Sequence, residues 1–204
     1  MPYSLACIIL AAGKSSRMQL GNKLLLKIND ETILEKTLEN ISENALSSIY
    51  VVLGYQNDLI RKLIKNKKVT AVINNEFKKG ISTSIVKGIQ KLNKDVDGVL
   101  ICLADMPKIN KNIYKEIIYS FHKNYKNNIP IIIVPEYNKK TGNPIIFSKH
   151  FFSKLKDLKG DKGAKNLINE FNKYVIKIEV INGTIFEDID DEKAYNKYLN
   201  DETK

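Results

Sequence analysis

The stretch that most constrains the fold is Leu10 to Lys23, LAAGKSSRMQLGNK. It follows a short apolar run, Leu5 to Leu10, that reads as a buried strand. The polarity then flips within a residue or two. Ala11, Ala12 and Gly13 are small enough to let the backbone pass close to a ligand, and Gly13 can take a positive φ without steric cost. Lys14, Arg17 and Lys23 bring cations, and Ser15 and Ser16 bring hydroxyls suited to helix capping. A strand opening into a small-residue turn beside clustered cations makes a phosphate site. The plainer alternative is an ordinary strand-to-loop turn with solvated Lys and Arg. Two familiar phosphate loops are ruled out. GxxxxGK[ST] fails because Gly13 is followed five residues later by Met18, and GxGxxG is absent.

Beyond this loop the chain alternates between two periodicities. Lys23 to Ile28 is apolar enough to pack beneath the loop. Apolar residues at helical spacing predict helices over Thr32–Ile41, Asn57–Ile64 and Asn112–Phe121, and a last helix is expected over Glu192–Leu199. Short β-branched runs predict strands at Ile49–Leu53, Val69–Ile73, Val99–Leu103, Ile131–Val134 (closed by Pro135) and Ile145–Phe147. Val175–Val180 alternates and reads as a strand near a sheet edge. The pattern implies an α/β fold with a mainly parallel sheet that gains an antiparallel edge in its last third. With 204 residues and no linker, repeat or composition break, one domain over residues 1–204 is expected.

Three further segments carry chemistry. In Asn74–Gly88, Gly80 precedes a helix whose first turn holds Ser82, Thr83 and Ser84, either to hold a polar ligand or simply to cap. Val99–Leu103 is nearly pure apolar, as suits a central strand covered on both faces, and it runs into Ala104, Asp105, Met106 and Pro107. An Asp at the carboxyl end of a central strand lies at the ligand crevice of an open α/β sheet and is a natural Mg²⁺ ligand. Its alternative is to cap the helix starting near Lys111. In Phe186–Asp191, FEDIDD, Asp188 and Asp190 would point to one side of an extended segment. The alternative there is an acidic turn capping the last helix.

Charge and composition limit the partners. Lys and Arg number 33 against 23 Asp and Glu, a net charge of +10, which favours anionic ligands such as nucleotides. No RNP, zinc-finger or basic-region motif points to nucleic acid. No apolar run reaches membrane-span length, and the first apolar run lacks a basic region before it. Cys7 and Cys102 sit in apolar runs and read as reduced, buried thiols, and His122 and His150 have no motif around them. A cytoplasmic monomer is the expectation.

LAAGxSxRM followed by Lys23, then LADMP around Asp105, resembles the MobA-like nucleotidyltransferases of molybdenum-cofactor maturation. The LAAG form is closest to the cytidylyltransferases, because the guanylyltransferases usually carry LAGG. The resemblance runs from about Leu5 to about Tyr198. It implies a Rossmann-like three-layer α/β/α fold of the nucleotide-diphospho-sugar transferase type. It also implies transfer of CMP from CTP to the phosphate of a molybdopterin-type acceptor, pyrophosphate release, and a molybdoenzyme client. Arg17, Lys23 and Asp105 would be catalytic, with Mg²⁺ held by Asp105 and Asp190, and Asp188 in reserve. Leu10 to Ser15, Gly80 and Ser82 to Ser84 would hold the nucleotide. KKTGNP, with Gly142 and Asn143, resembles the family's GHP segment, and GDKGA, with Asp161, another segment near the acceptor. Two departures are visible: Gln19 where Gly usually follows the Met, and Asn143 where the family has His. Asn hydrogen-bonds but does not titrate near neutrality. Ala12, where the guanine-using relatives carry Gly, would narrow the space beside the base and favour CTP over GTP. Other readings are a cytidylyltransferase for a small phosphorylated metabolite and a non-catalytic nucleotide-binding module that delivers a cofactor.

Overall fold

The structure, a computed structural model, describes residues 3–202. The chain begins with β1 (Leu5–Ala11), a small hairpin of β2 (Lys27–Ile28) and β3 (Glu31–Thr32), and α1 (Ile33–Ser42). Next come β4 (Ser48–Leu53), α2 (Asn57–Leu63), β5 (Thr70–Ile73), α3 (Ile81–Lys91), β6 (Gly98–Leu103) and α4 (Lys111–Asn124). The last third holds β7 (Ile132–Tyr137), β8 (Lys140–Thr141), β9 (Ile145–Ser148), α5 (Phe152–Lys156), α6 (Lys165–Glu170), β10 (Val175–Glu179) and α7 (Glu192–Glu202).

The main sheet has the order β10-β7-β9-β6-β1-β4-β5, with β8 added beside β7. β1 runs parallel to both β4 and β6, β4 to β5, and β10 to β7. The antiparallel component of the last third is β9, which reverses between β6 and β7, together with the short β8. β10 forms the sheet edge. Pro135 does not close its strand: β7 continues through it to Tyr137, with Pro135 opposite Ile178 and its carbonyl accepting from Gly142 N–H. A proline lacks only the donor, so a strand passes through one where the neighbour asks for none.

The continuous apolar runs have a direct cause. Both faces of the central strands are covered, so alternate residues enter different cores. From β1, Cys7, Ile9 and Ala11 pack on the side of α1 and α4, whereas Ala6 and Ile8 pack on the side of α3 and α5. The result is a helix–sheet–helix sandwich. Cys7 and Cys102 are buried, unbridged thiols with sulfurs 3.7 Å apart. Among the described residues no helix is long and apolar enough to cross a membrane.

The chain crosses from β1 out to β4 and β5, then returns to place β6 on the other side of β1. That switch opens a crevice at the carboxyl ends of β1 and β6, where ligands bind in open α/β sheets.

Candidate active site

Five segments converge on this crevice: the loop after β1, the turn after β6, the start of α3 with the residues just before it, the turn at Gly160 and Asp161, and the stretch before α7. They line a cavity of about 770 Å³. A second cavity of about 930 Å³ lies alongside, lined by Gly142, Asn143 and the 161–169 segment above an apolar floor that includes Ile101 and Phe147. Leu10, Ile81, Leu103, Asp161 and Asp188 line both. Asp188 therefore stands on the border between the two.

The loop after β1 keeps its small-residue path, but its strained positions are not where the sequence puts them. Positive φ falls on Ser15 (54°) and Gly21 (99°), not on Gly13. A Cβ added at Gly13 would meet nothing within 4 Å, so the loop leaves open space there. Ser15 caps no helix. Its Oγ accepts from Lys23 N–H at 3.1 Å and so pins the two ends of the loop together. Asn22 caps the short 3-10 turn that follows, accepting from Leu24 N–H. At the departure noted above, Gln19 N–H donates to Glu192 Oε1 at 3.0 Å, which ties the loop to the start of α7.

Asp105, Asp188 and Asp190 form the electrostatic centre, each offering an oxygen within 4.8 Å of the others. Asp105 caps nothing, because Asn110 takes that task for α4 by accepting from Asn112 and Ile113 N–H. Asp191 accepts from Ala194 N–H in α7, so the capping alternative for the acidic string belongs to Asp191 and frees its neighbours. Lys23 Nζ bridges Asp105 Oδ2 at 2.5 Å and Asp190 Oδ1 at 2.7 Å. Arg17 reaches Asp190 Oδ2 at 2.7 Å but is 68% exposed, and an ion pair so open to water adds little stability. Arg17 is thus free to turn toward a ligand at small cost.

Burial pulls the Lys23 pKa down, but the Asp105 and Asp190 carboxylates beside it outweigh burial and hold it above its ordinary value. Burial raises the Asp190 carboxyl, and its bonds to Lys23 and the Arg17 charge more than reverse that. Asp188 is pushed up, first by burial and then by the neighbouring Asp190 and Asp105 charges. A raised carboxyl favours the fold below its unfolded pKa, and that benefit is lost as pH rises through the folded value. Near neutrality the Asp188 charge therefore works against the fold. Asp188→Asn should raise the Tm of the metal-free protein by roughly a few degrees while weakening divalent-metal binding. Thermal melts and calorimetric titration with Mg²⁺ check both halves, and a Tm that falls would contradict the repulsion argument.

The residues fit a divalent cation. Three carboxylates converge, Asp105 Oδ1 is buried without a hydrogen-bond partner, and oxygen-only donors suit a hard ion. Lys23 and Arg17 are the cations that offset their charge in this arrangement.

The start of α3 differs in detail from the sequence expectation. Of its three hydroxyl residues only Ser84 lines the first cavity. Ser82 is fully buried, and Thr83 Oγ1 donates to Gly80 O at 2.9 Å. The N-terminus is capped from outside, by Asp161 Oδ1 accepting from Ile81 N–H at 3.1 Å. Gly80 is required there: its φ is 109°, and a Cβ would lie 2.5 Å from Gly160 O. Ala12 is 6% exposed, and a Cβ built on Gly54 would lie 2.8 Å from the Ala12 methyl. That methyl packs against Gly54, and Ala12 also lines the first cavity. Leu10, Ala11, Lys14 and Gly80 line the first cavity as well. Gly142 and Asn143 are stitched by their N–H groups to Pro135 O and Ile185 O. Sequence reasoning missed Phe77, Lys78, Lys79 and Gly160 on the wall of the first cavity, and Asn74 behind it. Asn74 stands directly after a strand and ahead of the hydroxyl cluster, the one signal that could have marked it.

Known proteins resemble the chain in sequence and in fold. The purine catabolism protein PucB of Bacillus subtilis is 27% identical over 175 residues, covering 82% of this chain and 81% of that protein. The chain spans only about a quarter of the bifunctional GlmU proteins it also matches, 26% of the one from Francisella philomiragia. Among solved structures, Rv0371c of Mycobacterium tuberculosis superposes with a TM-score of 0.86 at 24% identity, covering 98% of this chain and 100% of that one. The same mycobacterial protein has been solved in complex with manganese. The CMP:2-keto-3-deoxy-manno-octonic acid synthetase complexed with CTP shares the fold, with a TM-score of 0.75 at 12% identity over 98% of both chains. The model of the MobA-like NTP transferase domain matches residues 7–175, and the chain belongs to that family.

Proposed function

We propose that the protein transfers CMP from CTP to the terminal phosphate of molybdopterin or its molybdenum-bearing form, giving a cytosine dinucleotide cofactor. The observation that carries the reading is the carboxylate cluster of Asp105, Asp188 and Asp190 at the border of two adjoining cavities, beside Lys23 and Arg17. One cavity suits a nucleotide and the other an acceptor. An acceptor phosphate oxygen attacks the α-phosphorus of CTP in line, the bond to the β-phosphate oxygen breaks, and pyrophosphate leaves with the electron pair. Asp105, Asp188 and Asp190 would hold Mg²⁺, which supplies charge neutralisation and Lewis acidity to phosphoryl oxygens. Arg17 and Lys23 would turn from the carboxylates toward the triphosphate, and Gly13 would admit it close to the backbone. Such a reaction asks for positioning and charge stabilisation more than covalent help. The protein would act as a single domain, in the cytoplasm and without nucleic acid.

A second acceptor class is favoured by one specific feature. Asn143 lines the second cavity, in the segment that resembles the family's GHP but carries Asn in place of its His, so a small phosphorylated metabolite is the competing substrate. A pyrophosphate-release assay crossing four nucleoside triphosphates with molybdopterin, sugar phosphates, alditol phosphates and amino-alcohol phosphates decides between them. The expected maximum is CTP with molybdopterin and Mg²⁺. Preference for GTP would overturn the cytidylyl assignment, and a maximum with another acceptor would replace molybdopterin.

A further inference from the structure

Residues 187–190 belong to no helix or strand, yet they carry Asp188 and Asp190. The turn that carries Asp105 is anchored from α1. Thr37 Oγ1 donates to Ala104 O at 3.1 Å, and Asn40 Nδ2 donates to Pro107 O at 3.1 Å. The stretch before α7 has to be brought to that turn and kept there. One tie is the backbone of Ile189, whose N–H donates to Asp105 O at 2.9 Å and whose side chain is buried. A second tie is the pairing of Asp190 with Lys23 and Arg17. A metal ion on the carboxylates would displace Lys23, so this tie weakens when the cluster is loaded.

The third tie is Lys108, which follows Asp105 on the same turn and lines neither cavity. Its Nζ lies 2.9 Å from Glu187 Oε2, 2.7 Å from Asp201 Oδ2 and 5.3 Å from the centre of the Tyr198 ring. One ammonium thus grips the residue before Asp188 and the far end of α7 together. A lone surface pair adds little. Here the lysine is only 18% exposed and is shared by two carboxylates and an aromatic face, which makes it a network.

We infer that Lys108 is a positioning residue for the carboxylate cluster: by holding Glu187 and Asp201 it keeps Asp188 and Asp190 against Asp105 once an ion has displaced Lys23. It touches neither ion nor ligand. The inference rests on the reading of the three carboxylates as a divalent-metal site, and not on which nucleotide or acceptor is used. Charge and positioning predict opposite signs. A lysine near three carboxylates repels a cation, so by charge alone its removal tightens metal binding. As a positioning residue, its removal weakens binding, because the ligand oxygens lose their common geometry.

Titration of the nucleotide-free full chain with Mn²⁺, the free ion followed by electron paramagnetic resonance, reads that sign. The proteins compared are the wild type, Lys108→Met, Lys108→Arg and Lys149→Met. Lys149 pairs with Asp97 at 3.0 Å and lines neither cavity, so its variant removes the same charge and a similar ion pair elsewhere. Lys108→Met should raise the Kd for Mn²⁺ by about tenfold. Lys108→Arg keeps the charge and should stay close to the wild type, and Lys149→Met should leave the affinity unchanged. Thermal melts of the ion-free proteins check that both methionine variants are folded at the titration temperature. If Lys108→Met does not fold, Lys108→Gln takes its place, since it removes the charge but keeps a polar end, and the same rise is expected. Unchanged or tighter Mn²⁺ binding in a folded, uncharged Lys108 variant, or an equal loss in Lys149→Met, overturns the inference and leaves the metal site standing. A wild type that binds no Mn²⁺ overturns both.

Discussion

Asp105→Asn is expected to cut pyrophosphate release by on the order of a hundredfold or more while leaving the fold largely intact. The side chain stands just beyond β6, with one oxygen against Lys23 and the other buried and unpartnered. An amide fills the same volume but brings no charge, so the divalent ion would lose a principal ligand. The fold should survive because Lys23 keeps Asp190 as a partner and because Asn110, not Asp105, caps α4. Steady-state kinetics with CTP, Mg²⁺ and the best acceptor from the substrate survey give the rate, and a thermal melt gives the stability. Near-normal turnover in a folded variant would remove Asp105 from the catalytic set.

What the sequence made legible follows from where the information is local. The central strands were readable because burial on both faces demands unbroken apolar runs, as in Val99–Leu103 within β6. α1 was readable from its period, and its start is sharpened by the Thr32–Glu35 capping box. The reversal of β9 between β6 and β7 was not, since strand order depends on contacts far apart in sequence. The same limit applies to the site. Asp105 and the loop cations could be singled out from their own neighbourhoods. That Lys23 would bridge Asp105 and Asp190, 167 positions away, could not. Nor could the sequence separate Ser84 from Ser82 and Thr83. Which hydroxyl faces the cavity depends on the rotation of α3, and that is set by the Gly80–Gly160 approach and by the Asp161 cap.

The backbone at Gln19 is tied to a distant part of the chain. Its N–H is held by Glu192, Arg17 reaches Asp190, and Tyr195 OH donates to Lys27 O. The segment around the start of α7 therefore clasps the loop after β1 and the β2 strand that follows it. Asp188, Asp190 and the loop cations are thus held by the same strap, so a shift of one carries the other.

Lys23→Ala should separate two effects that a simple phosphate-binding lysine would not separate. Turnover should fall by about a hundredfold, because the cation that would meet the triphosphate is gone. Binding of Mg²⁺ to the nucleotide-free protein should instead tighten, because Lys23 competes with the ion for Asp105 and Asp190. Its side chain is only 12% exposed, so solvent screens that competition poorly. With the ammonium removed, three carboxylates are left facing one another, and the metal-free protein should melt at a lower temperature than the wild type. Added Mg²⁺ should restore more of that loss in the variant than it adds to the wild type, since ligand binding stabilises in proportion to affinity. Lys23→Arg keeps the charge and should remain close to the wild type in metal affinity. Calorimetry with Mg²⁺ alone, melts with and without the ion, and pyrophosphate release together measure all three quantities. If Lys23→Ala lost turnover but bound Mg²⁺ no more tightly, the lysine would serve phosphate only, and its bridge between the two carboxylates would have no part in setting metal affinity.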